Sequence, residues 1–374
     1  MGKASIMTGG LRPGYGRQQV TGIRRLWAWI PKSLACRLFL LITLAEATIN
    51  ISIESVLFAR FQEHKHHDTT QEDQAKTRAL PVFLIVFSLA HIYQFLLAID
   101  SVVNRNTILV IGLVIFNSCF LVYSVIQISE IREVLGDGVV AGTSQTVPVQ
   151  VLTGAIPIVI GLAQVSFVVL SWYLWREFGW QIYKKIGADR SLKKGYMHYQ
   201  IYVALLKFDF FTFVAFCLQL VLVVTQLGTA EKWITIISAP FSLLLLLFAW
   251  YSVRKELRWG MWLFMLGLGG AMVYFCYKLF RIWQGKAGAY KEVFKSLTVF
   301  SVLAITLLLV TFAMTLRCLC NFGRGLKMAI ARRRDNPYPI ADGQFIVGYD
   351  GKALTPLTDG STSVLHLQPR LSID

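Results

Sequence analysis

The chain has 374 residues, of which 55% are hydrophobic and 16% charged, and it carries a formal net charge of +16. A charged fraction so far below the roughly 25% of soluble domains excludes an ordinary water-soluble fold. The positive charge lies between apolar runs and comes without a zinc-finger, helix-turn-helix or RNA-binding signature, so a nucleic-acid partner is not expected.

Apolar runs of about twenty residues, each long enough to cross a hydrocarbon core of about 30 Å, recur along the sequence. Eight spans are predicted, at 34–58, 80–100, 107–128, 149–175, 201–226, 232–252, 259–281 and 294–317. Barrel strands are shorter and alternate with period two, so the spans are helices. The fold class is therefore all-α, a polytopic transmembrane helix bundle. Its parts are an N-terminal tail (1–33), the bundle (34–317) and a polar, largely disordered C-terminal tail (318–374).

The N-tail is rich in Gly and Arg, and the first apolar run reads as an uncleaved signal anchor. Roughly twice as many Lys and Arg flank one side of the spans as the other, which predicts that both termini are cytosolic. The last lumenal loop, with Arg281, Lys286, Lys291 and Lys295, runs against that bias. All ten tryptophans sit at or near predicted span ends, as in an interfacial aromatic belt.

Span one places Glu46, Asn50 and Glu54 on one helical face, with Thr43 below them. Charge at the bilayer centre costs about 2.5–3.5 kcal/mol on insertion scales, so these groups are expected to face the bundle interior. At 1.5 Å per residue, Glu46 lies about 18 Å from the cytosolic end, His91 about 13 Å and Gln94 about 9 Å. Lys207 and Asp209 on span five are near the cytosolic side, and Lys207 is expected to snorkel. Glu54 and Lys278 both fall about 30 Å deep. The expected intramembrane network is Glu46, Asn50, Glu54, His91, Gln94, Lys207, Asp209 and Lys278, with Glu46–His91 and Glu54–Lys278 as pairs. It reads either as hydrogen-bonding glue or as a proton- or ion-coupled pathway.

After span four comes Glu177-Phe178-Gly179-Trp180-Gln181-Ile182-Tyr183-Lys184-Lys185-Ile186-Gly187-Ala188-Asp189. Phe178, Ile182 and Ile186 recur every four residues, with Trp180, Lys184 and Lys185 around them. This predicts a short helix lying on the cytosolic membrane face, stopped at Gly187 and followed by a cap at Asp189.

Together with Tyr199-Gln200-Ile201 and the run Leu205 to Phe211, this segment resembles the fungal UPF0658 Golgi apparatus membrane protein family. The resemblance runs through most of the membrane region and does not reach the tails. It implies a multi-pass protein of the fungal Golgi membrane and brings no catalytic residues with it.

Several further motifs lead nowhere. The sequon Asn50-Ile51-Ser52 is inside span one. His64, His66 and His67 lie in an acidic stretch and read as solvated, and no metal or cofactor is expected. An Asp-Gly turn in 345–352 would allow only an isolated hairpin. Six cysteines fall outside the lumenal loops, so no disulfide framework is expected. Cys318 and Cys320, at the cytosolic end of span eight beside Arg324, Lys327 and Arg332 to Arg334, suit palmitoylation against anionic headgroups. The sequence thus predicts a non-enzymatic membrane protein supporting transport or trafficking. The alternatives are a coupled transporter using Glu46 and His91, and a scaffold or receptor acting through the 176–200 loop and the tails. The expected partners are the bilayer and anionic headgroups.

Overall fold

The computed structural model describes residues 33–64, 71–140, 148–186, 190–223, 229–285 and 294–323. Residues 1–32 and 324–374, with the 345–352 segment, as well as His66, His67 and the Gly187–Asp189 stop and cap, lie outside these residues. Eight helices account for almost all of the described chain: α1 (Leu34–His64), α2 (Gln71–Val103), α3 (Thr107–Val140), α4 (Val149–Ile186), α5 (Arg190–Val223), α6 (Thr229–Lys255), α7 (Arg258–Gln284) and α8 (Phe294–Cys320). Each contains a stretch long and apolar enough to cross a membrane. Where water is absent, helices satisfy their own backbone donors and acceptors, which is why uninterrupted apolar runs take this form.

The apolar residues point outward as often as inward. Leu162 (68%), Leu266 (74%) and Val273 (70%) are among the most exposed side chains, whereas Asn50, His91 and Gln219 are wholly buried. A solvent of lipid produces this inverted pattern, because hydrocarbon welcomes Leu and Val and rejects unpaired amides. Trp172, Trp175, Trp233, Trp259, Trp262 and Trp283 are all exposed.

The helices pack as two rings of four. In the first, α1 touches α2, α2 touches α3, α3 touches α4, and α4 returns to α1. In the second, α5, α6, α7 and α8 repeat the same circuit, closed by α8 against α5. The rings join where α5 meets α2 and α3. The two apolar cores follow this division, with Phe208, Phe211 and Ala215 of α5 completing the first and Phe83 of α2 joining the second.

The same turn joins the second and third helix of each ring. Arg105 (φ 45°) follows α2 and Glu256 (φ 53°) follows α6, both left-handed. In each case the next amide reaches back five residues, Asn106 N to Ser101 O at 2.8 Å and Leu257 N to Ser252 O at 2.9 Å. This is the bond that closes a Schellman-type helix end. At the first turn, Asn106 Oδ1 then caps α3 by accepting from the amides of Ile108 (3.1 Å) and Leu109 (3.3 Å).

Two expectations change. The segment after span four is helical but is not a separate surface helix, because α4 continues without a break to Ile186. Phe178 is completely buried in the first core. The side chains of Trp180, Ile182, Lys184, Lys185 and Ile186 lie outside the described set. Span five also starts earlier than predicted, with a membrane-compatible stretch at Lys194–Val221. Its first turns are polar yet packed: Gln200 is buried and donates to the Tyr196 hydroxyl at 3.2 Å.

Candidate functional site: a buried polar network in the first ring

Glu46, Asn50 and Glu54 follow one another along the inner face of α1, and all three are buried. Their partners come from α2 and α3, and α4 joins one step further on, through Asn117. Asn50 Nδ2 meets His91 Nε2 of α2 at 3.3 Å, and His91 Nδ1 meets Gln94 Oε1 at 3.3 Å. Gln94 Nε2 donates to Glu46 Oε2 (3.4 Å) and to Asn117 Oδ1 of α3 (3.1 Å). Asn117 Nδ2 donates to Gln164 Oε1 of α4 at 3.0 Å, and Gln164 Nε2 donates onward to Ser118 Oγ at 2.7 Å. With these amide orientations His91 carries its proton on Nδ1, so every bond from Asn50 to Ser118 runs donor to acceptor in one chain. Nearer the C-terminal end of α1, Gln127 Nε2 donates to Glu54 Oε1 at 3.0 Å.

Aromatic rings wall the centre of this chain. The His91 ring lies edge-on to Phe87 (4.8 Å between centroids) and to Phe120 (5.1 Å). This packing fixes the imidazole plane and hence the direction of both its nitrogens.

Acceptors outnumber donors in the network. Glu46 Oε1, Asn50 Oδ1, Glu54 Oε2 and Gln127 Oε1 are buried and have no hydrogen-bond partner among the described residues. Two of the four are carboxylate oxygens on one face of one helix. The arrangement can therefore hold a proton or a small cation at Glu46 and again at Glu54, with Asn50 between them.

The eight residues expected in one network fall into three places. Glu46, Asn50, His91 and Gln94 are joined directly, but Glu46 and His91 do not pair, because Gln94 stands between them. Glu54 bonds Gln127 rather than Lys278, which is buried on α7 in the second ring with its ammonium 5.7 Å from the Tyr274 ring. Equal depth brought that pair to attention, but depth carries no information on lateral position. Lys207 binds Asp100 at 2.6 Å, each side chain about one-third exposed, and ties α5 to the C-terminal end of α2. Asp209 turns into the second ring, where Thr311 Oγ1 donates to Oδ2 at 2.6 Å.

Asn117, Gln127 and Gln164 escaped the sequence reading although the same depth count finds them. Counted from the same side of the predicted spans as Glu46 and Glu54, Asn117 lies about 15 Å deep, Gln164 about 17 Å and Gln127 about 30 Å, matching those two residues. Two other sites complete the account. Cys318 is buried and donates to the His198 carbonyl (3.8 Å), so its thiol is closed to acylation, whereas Cys320 is exposed. Ser33 Oγ donates to Glu177 Oε2 at 2.5 Å, joining the start of α1 to α4.

Eight apolar helices and an acidic amide network buried among four of them define a multi-pass α-helical membrane protein with a polar interior. Comparison with known proteins refines that class. The chain is 28% identical over 274 residues to a UPF0658 Golgi apparatus membrane protein of Schizosaccharomyces pombe, an alignment covering 67% of this chain and 78% of the relative. This bears out the family resemblance carried by the Glu177–Phe211 region, and the Golgi membrane is the location in the relative's name. No family model matches the chain. No solved structure matches it.

Proposed function

We propose that this multi-pass Golgi membrane protein is a non-enzymatic transport protein, and that the first-ring network is its coupling site for a proton or small cation. The observation that carries the reading is the surplus of buried acceptors, Glu46 Oε1 and Glu54 Oε2 above all. A network serving only to hold helices together works best with donors and acceptors balanced, because an unmatched oxygen in hydrocarbon costs several kcal/mol. Glu46 accepts from Gln94, on a branch of the donor chain that starts at Asn50 and passes through His91. A proton arriving at Glu46 satisfies its free oxygen, and loss of that proton restores an acceptor that draws the next.

Glutamine at position 46 keeps the shape and the hydrogen-bonding ends but cannot exchange a proton. The full chain in proteoliposomes, with a pH-sensitive dye inside and an imposed pH gradient, is expected to pass protons. Glu46→Gln is expected to fold and reconstitute normally while losing at least ~90% of that flux, the one decade that corresponds to about 1.4 kcal/mol. Full flux in the glutamine variant, or none in the wild type, would reject the coupling site and leave the network as structure alone.

A further inference from the structure

The two rings join along α5, and beside that seam α3 of the first ring and α8 of the second do not pack along their lengths. A cleft lies between them, lined by α2, α3, α5 and α8, with a cavity of about 40 Å³. Its floor is Val86, Phe87 and Ala90 of α2, each no more than 3% exposed. Its rim is Cys119 of α3 with Val299 and Leu303 of α8, all partly exposed. The cleft therefore runs inward from the outer surface of the bundle. Tyr123 closes one end, with its hydroxyl 3.5 Å from Ser296 Oγ and its ring 5.8 Å from that of Phe300.

Depth fixes what lies outside the rim. Cys119 is about 18 Å along α3 and Leu303 about 14 Å along α8, counted from opposite faces at 1.5 Å per residue. Both values fall near the middle of a hydrocarbon core about 30 Å thick. The surroundings of the mouth are thus the ends of lipid chains. Water has little reason to enter, because it needs two to four polar partners and apolar cavities stay dry. The lining is chiefly aromatic and aliphatic, and the Tyr123 hydroxyl is already turned to Ser296.

We propose that this cleft binds the end of one acyl chain of a membrane lipid, which enters between α3 and α8 and stops against Phe87 and Phe120. The lining matches hydrocarbon in chemistry, and the mouth opens at the depth where chain ends are. A vacant cleft forfeits dispersion contacts along all its walls, and a chain end restores them without burying a polar group. A headgroup is excluded by both depth and volume. The inner wall also has a second neighbour. Phe87 and Phe120 are the rings that clamp His91, at 4.8 and 5.1 Å between centroids. An inserted chain end therefore packs on the far side of the wall that holds the imidazole. The site itself stands on packing and depth and does not depend on the coupling reading.

The test uses the full chain in lipid nanodiscs containing a phospholipid with a diazirine at the end of one acyl chain. After irradiation, adducts are located residue by residue by fragmentation mass spectrometry. Adducts are expected on Phe87 and its buried neighbours Val86 and Ala90, which a chain on the outer surface cannot reach. A lipid with the diazirine beside its headgroup should leave these residues unlabelled. Leu303→Trp places an indole in the mouth and should lower floor labelling about tenfold, one decade of occupancy, while labelling of the outward Leu266 and Val273 stays constant. Val299→Trp blocks the same mouth one turn away and replaces the first variant if that does not fold. Adducts confined to the outward residues Ile85, Leu89 and Ile92 of α2 would overturn the site, as would floor labelling indifferent to both tryptophans. Stronger labelling of the floor by a photoactivatable sterol than by the chain-end probe would overturn the assignment to an acyl chain.

Discussion

Replacing Gln94 with leucine removes the hub of the first-ring network while keeping the volume of the side chain close to its original value. Gln94 makes three side-chain contacts there, to His91, Glu46 and Asn117. Two of these cross between helices, and interhelical hydrogen bonds in membranes average about 0.6 kcal/mol each, so their loss amounts to about 1 kcal/mol. The change also strips Glu46 of its Gln94 donor, leaving a buried carboxyl oxygen that hydrocarbon penalises by several kcal/mol before relaxation. The expected total is about 2–4 kcal/mol. The assay is unfolding of the purified protein by SDS in mixed micelles, followed by loss of helicity. Ile92→Ala serves as control, since Ile92 neighbours the same stretch of α2 but faces outward, 48% exposed. If Gln94 and Asn117 act through their bond, Gln94→Leu with Asn117→Val will cost measurably less than the sum of the two single changes. A midpoint for Gln94→Leu within about 0.5 kcal/mol of wild type, no larger than an ordinary surface substitution, would show that the distances do not report bonds that matter.

Three other outcomes are expected. Gly112→Ala adds a methyl that meets Phe208 Cε2 at 2.6 Å, and Phe208 is buried against Phe116, so the same unfolding assay should register a loss of about 1–3 kcal/mol; an unchanged midpoint would refute the close approach of α3 to α5. A bulky maleimide added to folded protein in detergent should modify Cys320 and leave Cys318 untouched until unfolding, and equal reaction of both would contradict the burial of Cys318. Tags fused to both ends should be cut by protease added outside sealed Golgi vesicles, as the basic-residue bias requires. Protection of either one would break the assigned orientation.

The eight spans were legible because an apolar run of twenty residues has few alternatives to a helix in lipid. The helix ends were less so. Polar turns such as Gln71 to Pro81 and Arg190 to Gln200 lower the hydropathy that marks a span, but the backbone does not stop hydrogen bonding there. The inward direction of Glu46, Asn50 and Glu54 followed from the cost of exposing them to lipid. Which residues they would meet did not, because depth gives one coordinate of three. His91 and Gln94 were within reach of Glu46 in depth and proved to be neighbours on α2. Lys278 was equally well matched to Glu54 and lies in the other ring. The circuit of helices was invisible for the same reason, and also because the halves share contacts and a turn rather than residues: Arg105 and Glu256 take the same conformation with opposite charge.

The two-ring arrangement bears on how the protein is made. A chain entering the membrane from its N-terminus delivers α1 to α4 first, and those four can close upon one another while the remainder is still being synthesised. Their outer seam, however, is covered by Ala204, Phe208, Phe211 and Ala215 of α5. The first half must therefore wait in the bilayer with an open flank until the fifth helix emerges. Truncation before residue 190 would leave that flank bare for other membrane proteins, whereas truncation after 223 would seal it. Quality control in the secretory pathway should accordingly distinguish these two lengths more sharply than any other pair separated by a single helix.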